Sequence, residues 1–156
     1  MHLLEARLGR YVALALVLLT VSAVAVLRES PPRGRVVVTD TETEILDIVE
    51  FVPATATLRP RSFATLDAVA ATLVGNPSIE LVEVQAHTRG LGDEAANLEL
   101  TQQRANAVRA YLVTAGVESA RLDAQGYGDT QPLDHAGSPN NERISFLILK
   151  RSSDLE

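Results

Sequence analysis

Residues 81–112 read LVEVQAHTRGLGDEAANLELTQQRANAVRAYL, and the fold of the chain is decided there. Val82, Val84 and Ala86 alternate with Glu83 and Gln85, the period of two expected of a half-buried strand. Further on, Leu100, Ala107, Val108, Tyr111 and Leu112 recur at helical spacing, while Gln102, Gln103, Asn106 and Arg109 form the wet side. Between strand and helix lies HTRGLGDEAAN, where Gly90 and Gly92 permit backbone angles that other residues resist. A loop of this kind at the carboxyl end of a strand presents side chains and free amides to a small polar group.

The stretch resembles the OmpA C-terminal-like domain, the periplasmic module that holds envelope proteins to peptidoglycan. Against the family pattern G-H-T-D-x-x-G-x-x-x-x-N-x-x-L-S-x-x-R-A, the chain offers Ala86, His87, Thr88, Arg89, Gly92, Asn97, Leu100, Thr101, Arg104 and Ala105 in register. The likeness extends upstream to VEFVPATATLRPRSFATLDAVAATL and downstream to GVESARLDAQGYGDTQP and NERISFLIL, and so covers residues 35–150. Two positions reverse a charge. The family's loop aspartate is Arg89, and the first arginine of its late N-R-R motif is Glu142, followed by Arg143.

The resemblance implies a ligand, the diaminopimelate of the peptidoglycan peptide stem. In the family the loop aspartate takes its ammonium, the helix arginine takes its carboxylate, and loop amides assist. The corresponding peptidoglycan-binding set in this chain is Thr88, Arg89, Gly92, Asn97, Thr101, Arg104, Glu142 and Arg143, with Thr101 in place of the family's serine. Asn97 and Thr101 equally suit the task of satisfying loop and helix-start amides, and Arg104 that of pairing with Glu99 or Glu142. The reversals at 89 and 142 are either independent drift of two surface residues or, if the last strand lies antiparallel beside the central one as in the family's sheet, one event, in which case the two side chains should meet as an ion pair within about 4 Å or one water of it. Glu142, or Asp93 and Glu94 in the loop, would then be the acids available to a ligand cation. The alternative function is a degenerate OmpA-like domain that serves as a protein-interaction or structural part of an envelope assembly.

The implied architecture is α+β, a two-layer β-α-β-α-β-β sandwich with a mixed sheet and its helices on one face, preceded by one N-terminal transmembrane helix. Residues 1–28 form an anchor or signal peptide, 29–34 a short Pro-rich linker, 35–150 the domain and 151–156 a tail. Within the first segment, residues 11–27 are uncharged and apolar (YVALALVLLTVSAVAVL), nearly the 20 or so residues that span a hydrocarbon core. Arg7 and Arg10 supply a basic flank and Ala23-Val24-Ala25 a possible cleavage site, so anchor and cleaved signal both stay open. No acidic residue interrupts the run, which counts against a proton-conducting stator subunit. The corresponding locations are the inner membrane with a periplasmic domain, or the periplasm or outer membrane after cleavage.

Within the domain, Arg35 onward reads as a hairpin or bent edge, with 40–44 as its acidic turn rather than a calcium loop, since glycine punctuation is missing. Residues 53–60 form a loop, and Ser62 caps a helix through Leu73 whose core side is Phe63, Leu66, Val69, Ala70 and Leu73. Gly116 closes the second helix, residues 121–125 make a strand, Gly126-Tyr127-Gly128 begins a long return, and 143–149 are the last strand.

Composition narrows the function further. Cysteine is absent, which removes disulfides, thiol catalysis, cysteine-ligated zinc and a lipidated cysteine. The chain carries a formal charge of −6 and no tryptophan, a poor basis for binding nucleic acid. Residues 1–34 hold four arginines against two glutamates, so the remainder, with 10 basic and 18 acidic residues, stands at −8. An acidic module must then bind an anionic polymer by local pairing. No nucleophile motif or zinc motif is present, and His87 stands alone among candidate ligands, suited to a hydrogen bond with its loop. Neither an enzyme nor a cofactor is expected.

Overall fold

The computed structural model describes residues 36–38, 42–45, 49–90 and 92–152. The apolar run 11–27 and the linker 29–34 lie outside the described residues, among which no helix is long and apolar enough to cross a membrane. The elements are β1 (Val36–Val38), β2 (Glu42–Ile45), α1 (Phe63–Gly75), β3 (Ile79–His87), α2 (Glu94–Thr114), β4 (Leu122–Gly128) and β5 (Arg143–Arg151). Together the strands form a mixed sheet in the order β1-β2-β5-β3-β4. Only β3 and β4 run parallel; β5 returns antiparallel beside β3, which places His87 opposite Arg143.

The hairpin β1–β2 extends the expected strand order by one. Its second strand takes in Glu42, Thr43 and Glu44, which the sequence reading assigned to an acidic turn; Thr43 pairs with Phe146 of β5 instead. Alternation of Thr and Glu satisfies a strand as well as a turn when a partner edge is available, and β5 supplies that edge.

Core formation follows the period-two face of β3. Val82, Val84 and Ala86 are all but inaccessible and meet Leu66, Val69, Ala70 and Leu73 of α1, Ala105, Val108 and Leu112 of α2, and Phe146 of β5 in one cluster. Each fully buried large aliphatic or aromatic side chain contributes about 1.5–3 kcal/mol. Phe63 was expected in this cluster but is 37% exposed; it stacks on Tyr111 of α2 with ring centroids 5.2 Å apart, pinning the two helices together at their outer edge.

Ser62 precedes α1 without capping it. Its hydroxyl accepts from Glu50 N at 2.7 Å and donates to Glu50 O at 3.2 Å, so it fastens the segment before the helix rather than the helix's own amides. Gly126-Tyr127-Gly128 likewise departs from expectation, since these residues belong to β4 and not to the return loop. Strand and helix are so close here that a Cβ on Gly126 would stand 2.3 Å from Gln102 N. Gln102 and Arg109, assigned to the wet side, turn back onto β4. Gln102 accepts from Gly126 N and donates to Ala124 O, and Arg109 donates to Leu122 O. Polar side chains of α2 thereby occupy the open edge of the sheet, which would otherwise invite another strand.

Candidate functional site

The pairing of His87 with Arg143 brings the loop that leaves β3 beside the turn that enters β5. That turn is the 3-10 segment Pro139–Asn141, and buried Asn141 shapes the loop before it by accepting from Leu133 N and Asp134 N and donating to the carbonyls of Asp134 and His135. Gly137 N donates to Arg89 O at 2.9 Å and joins the two loops. Glu142 follows at the lip of the strand. Arg89 Nε donates to its Oε2 at 2.8 Å and an Arg104 terminal nitrogen to its Oε1 at 2.9 Å, so both carboxylate oxygens are engaged. The ion pair expected between positions 89 and 142 is present.

Arg104 reaches this point from the buried side of α2, its side chain 6% exposed. Its Nε donates to Thr55 O at 3.0 Å, and its guanidinium carbon sits 4.9 Å from the Phe51 ring centroid, within cation–π range. A buried guanidinium needs this set of partners, because each lost hydrogen bond to a charged group costs about 1.5–3 kcal/mol. The Thr55 carbonyl is delivered by a turn in which Ala54 adopts φ +58°, a left-handed conformation uncommon for alanine. Burial opposes ionisation of Glu142, but the hydrogen bonds and charges of Arg89 and Arg104 outweigh it and hold the carboxyl below its ordinary range.

A cleft of about 470 Å³ opens beside these groups. Of the set drawn from the sequence, Arg89, Arg104, Glu142 and Arg143 line it. Arg143 also donates to Gln131 O. Thr88, Gly92, Asn97 and Thr101 are not part of its lining. Thr88 N donates to Gly128 O, Gly92 turns the loop at φ +99°, and Thr101 Oγ1 accepts from Gly128 N while donating within its own helix. Asn97 is buried, with a side-chain amide nitrogen that has no hydrogen-bond partner among the described residues. Asp93 also leaves the site, accepting from Ala96 N as the cap of α2.

The sequence reading missed the opposite wall, made by Glu50, Phe51, Arg59 and Arg61. Arg59 Nε donates to Phe51 O, and Arg61 pairs with Glu50. The signal was present as two arginines flanking Pro60 in a domain with few basic residues, but nothing local ties them to a loop nearly thirty residues away. His87 also lines the cleft, and not as the loop-bonded histidine expected of it. It is 2% exposed, stacks on Tyr127 at 5.2 Å, and neither ring nitrogen has a partner among the described residues. Burial first, and the charge of Arg143 second, lower its pKa to about 4, so the ring is neutral near pH 7.

Among the described residues no three His, Cys, Asp or Glu side chains converge as metal ligands. What the cleft offers is charge-assisted hydrogen bonding from a fixed guanidinium. Residues 50–145, more than half of the chain, match the model of the OmpA family.

The chain belongs to the OmpA family.

Its domain is an OmpA C-terminal-like domain. It is 34% identical over 104 residues to the probable lipoprotein YiaD of Escherichia coli, a match covering 64% of this chain and 47% of that relative. The chain thus spans about half the length of this curated relative. The crystal structure of the peptidoglycan-associated lipoprotein from Burkholderia pseudomallei superposes with a TM-score of 0.54 at 27% identity, covering 65% of this chain and 86% of that one. A putative MotB-like protein from Desulfovibrio vulgaris shares the fold, with a TM-score of 0.64 at 23% identity over 76% of this chain and 82% of its own.

Proposed function

We propose that this OmpA-like domain holds peptidoglycan non-covalently, receiving a carboxylate of the peptide stem in the cleft beside Arg104. The observation that carries this reading is the fixed guanidinium. Arg104 is buried, oriented by Thr55 O, Phe51 and Glu142, and stands at a cleft open to solvent. A pre-oriented charge of this kind binds a carboxylate without first paying to order its own side chain. Membership of the OmpA family and likeness to a protein titled peptidoglycan-associated support an envelope role. In this reading Thr88, Gly92 and the amides ahead of Asn97 contribute an outer rim beyond the cleft lining, and Thr101 ties α2 to Gly128 of β4.

The apolar run 11–27 serves as a membrane tether that leaves the domain in the periplasm, a reading that rests on sequence alone. Mature protein beginning at Val26 in N-terminal sequencing would remove the tether. For the binding role the experiment is co-sedimentation of the full-length protein, in detergent, with purified sacculi. Arg104→Ala, checked for folding by circular dichroism, should weaken retention by about tenfold to a hundredfold, the equivalent of about 1.5–3 kcal/mol. Equal retention of the folded variant would take Arg104 out of the site.

A further inference from the structure

Among the described residues, both acids that line the cleft are already paired with arginines. Glu50 is paired with Arg61, and the two oxygens of Glu142 are held by Arg89 and Arg104. A ligand ammonium brought to Glu142 would stand beside two guanidiniums already sharing that carboxylate, so the net charge it meets there is repulsive. Arg59, Arg61, Arg89 and Arg104 line the cleft with these two glutamates, a formal excess of two positive charges among these six groups in a chain whose total is −6. Such local excess inside a concave surface focuses the field and raises the concentration of anions there.

A second observation points the same way. His87 is enclosed at the cleft, and both of its ring nitrogens lack partners among the described residues. A neutral imidazole always has one N–H to give, and an enclosed donor without an acceptor is stabilised by a ligand oxygen. Arg59 adds a charge that is in no ion pair among the described residues, its Nε alone being used on Phe51 O. Phe51 and Ile144 provide an apolar floor suited to a methylene chain between two carboxylates.

We infer that the cleft selects a peptide stem by its carboxylates alone and does not read the side-chain ammonium of the stem's third residue. The inference rests on the reading that the ligand is a peptide stem. It makes Arg89 and Glu142 the pair that sets specificity: Arg89, with Arg104, neutralises the Glu142 carboxylate that lines the cleft, so the ligand's ammonium points to water or is dispensable.

Three synthetic tripeptides separate the possibilities when titrated calorimetrically into the full-length protein in detergent. All begin L-Ala-γ-D-Glu; the third residue is diaminopimelate, 2-aminopimelate, which lacks the distal ammonium, or lysine, which lacks the distal carboxylate. The 2-aminopimelate peptide should bind at least as tightly as the diaminopimelate peptide, and the lysine peptide at least tenfold more weakly. Arg59→Gln should weaken both carboxylate peptides equally and lessen the salt dependence of binding. The exchange Arg89→Asp with Glu142→Arg should restore a preference of at least tenfold for diaminopimelate over 2-aminopimelate.

A wild-type preference of tenfold or more for diaminopimelate over 2-aminopimelate would overturn the inference while leaving peptidoglycan binding intact. Failure of all three peptides to bind would instead remove the proposed function and the inference with it. An acidic peptide with an ordinary α-linked C-terminus that bound more tightly than any stem peptide would also overturn both, reassigning the cleft to a protein partner.

Discussion

The guanidinium of Arg89 and the carboxylate of Glu142 lie 2.8 Å apart although 53 positions separate them in the chain, because the register of β3 with β5 sets their neighbours His87 and Arg143 side by side. The carboxylate is shared. Its second oxygen serves Arg104, and the two arginines differ sharply in exposure, 43% for the side chain of Arg89 and 6% for that of Arg104.

That asymmetry predicts unequal costs. Arg89→Ala removes a solvent-exposed partner and should lower stability by less than about 1 kcal/mol. Glu142→Gln leaves the buried Arg104 charge without its counterion and should cost about 2 kcal/mol or more. Urea denaturation of the two variants decides between this account and one in which the outer pair dominates, where the costs would be equal. Exchange of the two charges, Arg89→Asp with Glu142→Arg, should give a coupling energy of at least about 0.5 kcal/mol in a double-mutant cycle; additive losses would mean that the positions act independently.

Stability should fall on mild acidification. The unfolded chain protonates His87 near its ordinary value of 6.5, the folded chain only near 4, so between these values the unfolded state binds more protons. Stability therefore declines as pH drops from about 6.5 to 4, by up to about 3 kcal/mol from this residue. Glu142 works in a lower window. Its folded carboxyl ionises below the ordinary 4.5, so its contribution is complete above that value and is lost as pH falls further. Melting temperatures of wild type and His87→Phe across pH 4–7 should diverge, with the variant nearly flat between 6.5 and 5.

Gly126→Ala and Gly75→Ala should have opposite effects. At Gly126 the added carbon would meet the backbone of Gln102 and Thr101 at 2.3–2.7 Å, so α2 must retreat from β4, at a cost of about 3 kcal/mol. At Gly75 nothing lies within 4 Å, and the substitution should raise stability by up to about 1 kcal/mol through the entropy of the unfolded chain. Thermal unfolding of both proteins measures the contrast, and equal effects would refute the close helix–strand approach.

Ala54→Gly should stabilise. The left-handed φ of +58° costs alanine about 1 kcal/mol that glycine escapes, partly offset by glycine's extra freedom when unfolded. The expected gain is about 0.5 kcal/mol in denaturant unfolding, whereas Ala54→Val should lose more than 1 kcal/mol and shift the Thr55 carbonyl that orients Arg104.

The legible parts of this fold were those with a period. Alternation from Val82 to Ala86 announced β3 correctly, and the motif around Arg104 announced both the family and the side chain at the cleft. What escaped notice depends on neighbours distant in sequence. Serine before a helix reads as a cap, yet Ser62 spends its hydroxyl on Glu50. Two glycines around a tyrosine read as a turn, yet Gly126 is small because a helix lies against it, and Gly128 is glycine because its φ is +56°. His87 shows no sign in sequence of whether its ring nitrogens will find partners, since that is decided by what β5 and the 49–61 segment enclose.

Among the described residues the hairpin β1–β2 joins the rest of the sheet through two register pairs, Glu42 with Leu147 and Thr43 with Phe146, whereas β5 is zipped to β3 along nearly its whole length. Tension that enters from the N-terminal side of the domain meets that short seam before it meets the core. The hairpin would then peel away as a sacrificial slack element, lengthening the connection by several residues of extended chain, about 3.3 Å each, before the load reached Arg104 and its cleft.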